Sequence, residues 1–446
     1  MYKLVEMPLN KKNLLNIFYI FLILHLLLWT LIPSATNKNL PLDTIEALAW
    51  GSDLSWGFNK HPPVSALVVE IFYQIFGSQD WAYYFLSQIF LLITFYVVYI
   101  FSLDITKNKD LSIISVLTLI GIYFYNFTTP EFNVNVCQLP FWALTILYSW
   151  KIYNNKKLDL KEGITLGIFA VFGFLSKYLF AYLLISIILL FVYSILIKKD
   201  RKFDFKYLVP VEVFLILLVP HIVWLFNNDF ITISYALERS SIIHSSLLDH
   251  LKFPIIFILK QIIILIPFFV LLFFLIKKTK LKFNLKDEKL IFLFFVNIVP
   301  IILIFLTSVI TGSKIRTMWM TPFYLFFGTM FVYIFQKNID LLKIKKFLVA
   351  SMILFFISPV SYGFVSIIKT DKRTDYQGKL ISEKVQKKWD TDFTGEINVV
   401  LGDEWVAGNL SYHLKSRPAW EGDVDKNKLN AYNKFLCFDN ICIGNK

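Results

Sequence analysis

Residues 40–63 read Leu-Pro-Leu-Asp-Thr-Ile-Glu-Ala-Leu-Ala-Trp-Gly-Ser-Asp-Leu-Ser-Trp-Gly-Phe-Asn-Lys-His-Pro-Pro, a polar stretch set between long apolar segments. Asp43 and Glu46 are three residues apart, so a helix over this stretch places both carboxylates on one face. Lys60 and His61 follow, and Pro62 and Pro63 stiffen the exit. A carboxylate pair near a basic pair at a membrane surface suits chemistry on a lipid-linked phosphate, with one acid as base and cations for the leaving group.

The surrounding sequence makes this a loop of a membrane protein. The chain has 446 residues, 57% of them hydrophobic, 18% aromatic and only 17% charged, too apolar for a soluble domain. Apolar runs recur at about 13–33, 81–103, 111–126, 136–152, 163–176, 178–197, 207–226, 253–276, 288–311, 317–336 and 346–367, which predicts about eleven transmembrane helices. The runs at 111–126 and 163–176 are the shortest. The first run follows Lys11 and Lys12, and Pro33-Ser34-Ala35 is a poor cleavage site, so it reads as an uncleaved helix rather than a signal peptide.

The formal charge of +13 invites a nucleic-acid reading, but the distribution argues against it. Of 45 Lys and Arg, 24 fall in the N-terminus and the connections 107–109, 151–161, 198–206, 277–289 and 337–346, eight near the opposite loops and thirteen in the tail. That asymmetry follows the positive-inside rule, placing those connections in the cytoplasm and 34–80, 127–135, 227–252, 312–316 and the tail outside. The apolar segment 64–77 is too short to span and reads as a helix lying in the interface.

Two domains follow: a membrane domain over 1–367, with 34–80 as its catalytic first external loop, and a small α/β domain over 368–446. In the latter, Glu396–Leu401 is patterned as a buried strand and Trp405–Leu414 as a helix, and so small a unit is expected to lean on the membrane domain. Asp439-Asn440 suits a two-residue hairpin turn that sets Cys437 opposite Cys442, close enough for a disulfide outside the cytoplasm; two free thiols are the alternative.

Other polar residues gather in the external loops. Glu131, Asn133 and Asn135 alternate in one, with Glu131 and Asn133 candidates for the acceptor, or simply for helix capping. Lys177, in Leu-Ser-Lys-Tyr between two apolar runs, wants an anion or snorkels to headgroups. Arg239, Lys314 and Arg316 offer phosphate contacts, with headgroup anchoring as the competing role. Lys60 and His61 fit either a phosphate contact or a rigid charged turn. No HExxH and no closely spaced His/Cys set occurs, so a divalent metal is allowed but not indicated.

Asp-x-x-Glu-Ala at 43–47, Gly57 through Lys-His-Pro-Pro, Glu-Phe-Asn-x-Asn at 131–135, Leu-Ser-Lys-Tyr at 175–178, His-x-x-Trp at 221–224 and Arg-x-x-Trp-x-x-Pro at 316–322 occur in an order that resembles polyprenyl-phosphate-sugar glycosyltransferases. These are family 39-like enzymes with the C-type (GT-C) membrane fold, related to protein O-mannosyltransferases and the aminoarabinose lipid A transferase. The resemblance implies a catalytic acid in the first external loop, carried over to Asp43. Relatives often have adjacent Asp-Glu, whereas Thr44 and Ile45 intervene here, so Glu46 shares the candidacy. It also implies an enzyme of the bacterial inner membrane acting on its periplasmic side. Such an enzyme moves a sugar from a polyprenyl-phosphate donor to lipid A, lipopolysaccharide or another surface glycan, with membrane lipids as surroundings and no nucleic acid. The contrasting readings are a transporter or flippase of a lipid-linked or anionic substrate, and a binding protein for envelope polymers. Transporters tend to show midplane charges and repeats, whereas here most notable charges sit at one external face and no repeat is seen.

Overall fold

The computed structural model describes residues 11–155, 159–240, 246–276, 284, 286–339, 344–425, 429 and 432–445. The expected cytoplasmic lysines at 3, 156, 157, 277, 278, 280, 282 and 343 lie outside the described residues. The helices are α1 (Lys11–Thr36), α2 (Leu42–Gly51), α3 (Val64–Phe76), α4 (Asp80–Thr106), α5 (Lys109–Leu117), α6 (Val134–Cys137), α7 (Leu139–Asn155), α8 (Leu160–Ser176) and α9 (Ala181–Val192). They continue as α10 (Val209–Asn227), α11 (Ile231–Arg239), α12 (Asp249–Leu275), α13 (Glu288–Asn297), α14 (Val299–Thr311), α15 (Phe327–Phe335), α16 (Ile344–Ile368), α17 (Gly378–Asp392) and α18 (Val406–His413). Polar side chains start several of them: Asn108, Asn133, Asp159 and Asp287 each accept from the first free backbone N–H groups of α5, α6, α8 and α13.

Among the described residues, seven helical segments are long and apolar enough to cross a membrane. An eighth forms if Thr317–Tyr324 and α15, bent by 49°, count as one broken span. The expected count of about eleven also included 111–126, 136–152 and 163–176. These are α5 with two short turns, then α7 and α8, of 9, 17 and 17 residues. Seventeen residues lie at the short end of the roughly 17–25 that cross a bilayer, and α7 runs from beside Asn135 toward Tyr153 while α8 runs from Asp159 to Lys177. Every residue of α5 from Leu111 to Leu117 is buried against protein. Its apolarity serves the bundle core, and sequence alone does not distinguish protein from lipid as the apolar surroundings.

The bundle has two distinguishable ends. At one, Trp150 donates to Asp104, Arg201 reaches the carbonyls of Ile152 and Tyr153, Lys198 meets Glu288, and Tyr333 donates to Asp287. The connections expected in the cytoplasm are thus brought together. At the other end, Thr44 donates to the Phe132 carbonyl, Lys177 to Asn135, Thr232 to the Phe58 carbonyl, and the Lys314 amide to the Ser240 carbonyl. Helix α3 lies at this end with Leu67, Ile71 and Ile75 exposed, a four-residue spacing that makes one apolar stripe.

The tail builds a four-stranded sheet in the order β2-β1-β4-β3, with β1 (Val399–Leu401), β2 (Ala419–Trp420), β3 (Lys434–Phe438) and β4 (Ile441–Asn445). Strands β1 and β2 are parallel and the other pairs antiparallel. The hairpin has the expected register, Phe438 opposite Ile441 and Cys437 opposite Cys442, and the two cysteines are bonded. The tail is stitched to the first external loop. Asn39 donates to Asn409, Arg417 to the Leu48 carbonyl and to Glu70, the Trp420 amide to Ser52, and Tyr412 to Asp80. Helix α18 crosses α2 so closely that a Cβ at Gly408 would press on Ala49 and Ile45 at about 3 Å.

Candidate active site

Asp43 sits in the first turn of α2 and Glu46 one turn on, the shared face expected from their spacing. Pro41 precedes the helix and supplies no side-chain cap. The cap comes from another loop instead: the Asp43 amide donates to Glu131 Oε1 at 3.2 Å. A carboxylate at a helix N-terminus is favoured by the exposed amides there. Glu131 therefore supports the helix that carries Asp43. Asn133 is buried and fully engaged: its Oδ1 caps α6 and its Nδ2 reaches Glu131 Oε2 at 3.4 Å. Both loop residues expected to meet an acceptor thus make bonds at the heads of α2 and α6.

Lys60 does not stand free for a phosphate. Its Nζ lies 2.8 Å from Glu46 Oε1 and 2.9 Å from Glu404 Oε2, and Asn59 donates to the other Glu404 oxygen at 2.7 Å. Burial draws the Lys60 pKa down, but the two carboxylates together outweigh it and raise it. Glu404 lies 344 residues away in the tail, and its sequence signal was only that of a turn. His61 packs edge-on against Trp50 and Tyr235, at 5.9 and 6.3 Å between rings. Burial, then the charges of Lys177, Lys60 and Arg239, push it down to about 3, so it is a neutral ring rather than a cation.

Lys177 is 6% exposed at the end of α8. Its Nζ donates to Asn135 Oδ1 at 2.6 Å and lies 5.4 Å from the centre of the Trp319 ring. Burial lowers its pKa to about 7, with the charge of Asp43 pulling the other way. An amide and an indole face are weak compensation for a desolvated ammonium, whose burial costs several kcal/mol in general. Such a group is built to receive an anion. Asp43 is shifted up by burial, against the pull of Lys177, Lys60, Arg239 and Arg373. Glu131 is shifted up too, by burial and then by the charge of Asp43.

The remaining cations come from the loops above. Arg239 ends α11, and the backbone bond from Lys314 to Ser240 ties its loop to the one carrying Arg316. Arg316 is half-exposed, its buried Nε has no partner, and burial and then Arg239 lower its pKa. The His-x-x-Trp pair braces the first loop from α10. His221 Nδ1 donates to the Trp56 carbonyl, Nε2 pairs with the Tyr178 hydroxyl at 2.6 Å, and any side chain at Gly57 would collide with Trp224. Arg373 and Glu404 from the tail, and Asn135 as the seat of Lys177, are the parts that sequence reasoning left unassigned.

Beside Asp43 lies a small cavity of about 10 Å³, lined by Asp43, Glu46, Ala47, Trp50, His61, Ser65 and Val134. That is room for about one water molecule rather than for a substrate. Among the described residues, no three His, Cys, Asp or Glu side chains are grouped to hold a metal ion.

The long apolar helices, the bundle and its capped end define a multi-pass membrane protein of the GT-C type. Its fold matches two crystal structures of ArnT from Cupriavidus metallidurans, bound to undecaprenyl phosphate and in the apo state, each with a TM-score of 0.60 and 10% identity. The matches cover 93% and 94% of this chain and 87% of each of those chains.

Residues 60–224 match the model of the dolichyl-phosphate-mannose-protein mannosyltransferase family. That segment contains Lys60, His61, Glu131, Asn133 and Lys177, while Asp43 precedes it. The chain is 26% identical over 227 residues to the lipopolysaccharide core galacturonosyltransferase RgtB of Rhizobium johnstonii, covering 50% of this chain and 46% of that protein. It is 32% identical over 131 residues to the undecaprenyl phosphate-alpha-4-amino-4-deoxy-L-arabinose arabinosyl transferase of Wigglesworthia glossinidia brevipalpis, covering 28% of this chain and 22% of that protein. The chain thus spans less than half the length of either curated relative.

Proposed function

We propose that this protein is a glycosyltransferase that takes a sugar from a polyprenyl phosphate and passes it to an envelope glycolipid, lipid A or lipopolysaccharide, or to another surface glycan. The site faces the periplasmic side of a bacterial inner membrane. The observation that carries this reading is that Asp43 and Lys177 feel each other's charge while Lys177, a buried cation, has no carboxylate within ion-pair distance among the described residues. An acceptor hydroxyl attacks the anomeric carbon as the bond from that carbon to the phosphate oxygen breaks. Asp43 takes the hydroxyl proton, the bond electrons leave with the phosphate, and Lys177, Arg239 and Arg316 stabilise the departing polyprenyl phosphate. A single displacement inverts the anomeric centre. Lys60 and His61, first considered for the phosphate, are better placed as supports of the cavity wall, because Lys60 is already neutralised and His61 is uncharged.

The relatives are named for different sugars, galacturonate and aminoarabinose. Mass spectrometry of envelope lipids from a deletion strain, complemented with wild type or Asp43→Asn, tests the activity. One sugar mass should disappear on deletion and return only with wild type; an unchanged lipid profile would sink the proposal. For orientation, a cysteine at Glu383 should react with an impermeant reagent in cells with a permeable outer membrane, and one at Asn154 should not. The reverse pattern would place the site in the cytoplasm.

A further inference from the structure

Helix α2, which carries Asp43 and Glu46, is held by the tail along its whole length. Just before it, Asn39 donates to Asn409, and His413 Nε2 pairs with Asn39 Oδ1 at 3.2 Å. In its middle Gly408 packs against Ile45 and Ala49, and at its side Lys60 joins Glu46 to Glu404. At its far end stands Arg417. Its Nη2 donates to the Leu48 carbonyl at 2.6 Å and to Glu70 Oε2 on α3 at 2.7 Å, and its Nη1 donates to Ser411 Oγ at 3.1 Å. The guanidinium also lies over the Tyr73 ring, 4.1 Å from its centre.

Two features set Arg417 apart from an ordinary staple. Its side chain and that of Glu70 are only 11% and 10% exposed, so desolvation offsets much of their attraction. Its backbone has φ 50°, a left-handed conformation that a Cβ disfavours, and Pro418 follows and restricts it further. Neither feature is an efficient route to stability. Strain of this kind persists where the surroundings impose a geometry, and such places cluster at functional sites. What is secured here is the last turn of α2, where a cation meets a carbonyl at the negative end of the helix. It is also the point where α2 comes closest to α3: a Cβ at Gly51 would lie 3.0 Å from the Ala66 carbonyl and 3.1 Å from Glu70 Cβ.

We infer that Arg417 is a positioning residue for the transfer reaction: by clamping the end of α2 to α3, it fixes where Asp43 and Glu46 stand. The inference rests on the transferase reading above, in which Asp43 takes the acceptor proton. A helix of ten residues is a stiff rod about 15 Å long, so its last turn does not shift without moving its first. Misplacing a reacting group by about 1 Å can cost on the order of a hundredfold in rate. Lys177, Arg239 and Arg316 stand on other elements, so binding of the donor phosphate does not pass through this clamp.

The test uses purified full-length protein in detergent micelles. Its substrate is the envelope lipid extract of the deletion strain, which holds both unconsumed donor and unmodified acceptor. Mass spectrometry reads the rate at which the sugar-bearing lipid appears, and native mass spectrometry reads binding of undecaprenyl phosphate. Arg417→Met combined with Glu70→Gln removes the clamp and leaves no buried charge unpaired. Its turnover should fall about ten- to a hundredfold, while its Kd for undecaprenyl phosphate stays within about twofold of wild type. Arg417→Lys keeps a cation beside Glu70 on a shorter stem, with a weaker hold on Leu48, and should lose roughly three- to tenfold in turnover. Wild-type turnover in either variant would make Arg417 a staple only and overturn the inference. A loss of undecaprenyl phosphate binding as large as the loss of turnover would overturn it too, by assigning Arg417 to donor binding. In both cases the wild-type protein still transfers and the transferase reading stands. If the wild-type protein neither binds undecaprenyl phosphate nor transfers a sugar, that reading fails and this inference falls with it.

Discussion

At one end of the bundle Lys198 lies 2.6 Å from Asp200 and 3.2 Å from Glu288, and Lys107 sits beside Asp104 at the surface. At the other, Lys177 is buried with an amide and an indole for neighbours, and Asp43 and Glu131 are both shifted up by burial. Charge that only needs to stay in water is paired locally and remains near water. Charge kept out of water with incomplete compensation reduces stability, and such sites are where substrates are handled. Even within the site the contrast recurs, since Lys60 has two carboxylates and Lys177 has none within ion-pair distance among the described residues.

The sharpest break of this comparison is Asp43→Asn. The amide keeps the shape and loses the base, so transfer should fall by about 10²–10⁴-fold with expression and folding retained. An assay with a lipid-linked sugar reads this directly, and wild-type rates would remove Asp43 from the mechanism.

Next in size is Lys177→Ala, expected to lower kcat/KM for the lipid-phosphate donor by about ten- to a hundredfold. Its pH dependence follows from the shift to about 7. The side chain is charged below that pH and neutral above it, so donor kcat/KM should decline as pH rises through about 7. Lys177→Arg should carry that limb to higher pH, because a guanidinium stays charged. A limb in the same place for both proteins would assign it to another group.

Glu404→Ala separates support from chemistry. Lys60 keeps Glu46, so activity should drop by only a few-fold, about 1 kcal/mol, while the tail loosens from the first loop. Hydrogen exchange at 402–414 should rise; unchanged protection would mean that the ion pair adds nothing to docking. Smallest of all, Lys198→Ala removes two partly exposed pairs at the opposite end. It should change activity less than about twofold and stability by about 0–1 kcal/mol. A large loss there would erase the distinction between the two ends.

Much of this site was legible before any fold. The three-residue spacing of Asp43 and Glu46 placed them on one helical face, and α2 bears this out. The Asp439-Asn440 turn set the register of the tail hairpin, and Cys437 and Cys442 meet across it. Such features depend on residues a few positions apart, where backbone geometry alone decides what meets what. The roles of Lys60 and Glu131 were not legible, because Glu404 and the amide of Asp43 come from 344 and 88 residues away.

The sequence by itself determined that the chain crosses a membrane many times, that its basic connections share one end, and that its candidate acids and cations share the other. Hydrophobicity and charge act residue by residue against water and lipid, and so can be read along the chain. Tertiary structure alone decided that the apolar run of α5 is buried against protein, which cation is neutralised and which is left for an anion, and that the tail closes over the first loop. Each of these depends on burial and on partners brought from distant segments, and the free energy of a charge is set by the neighbours that packing gives it.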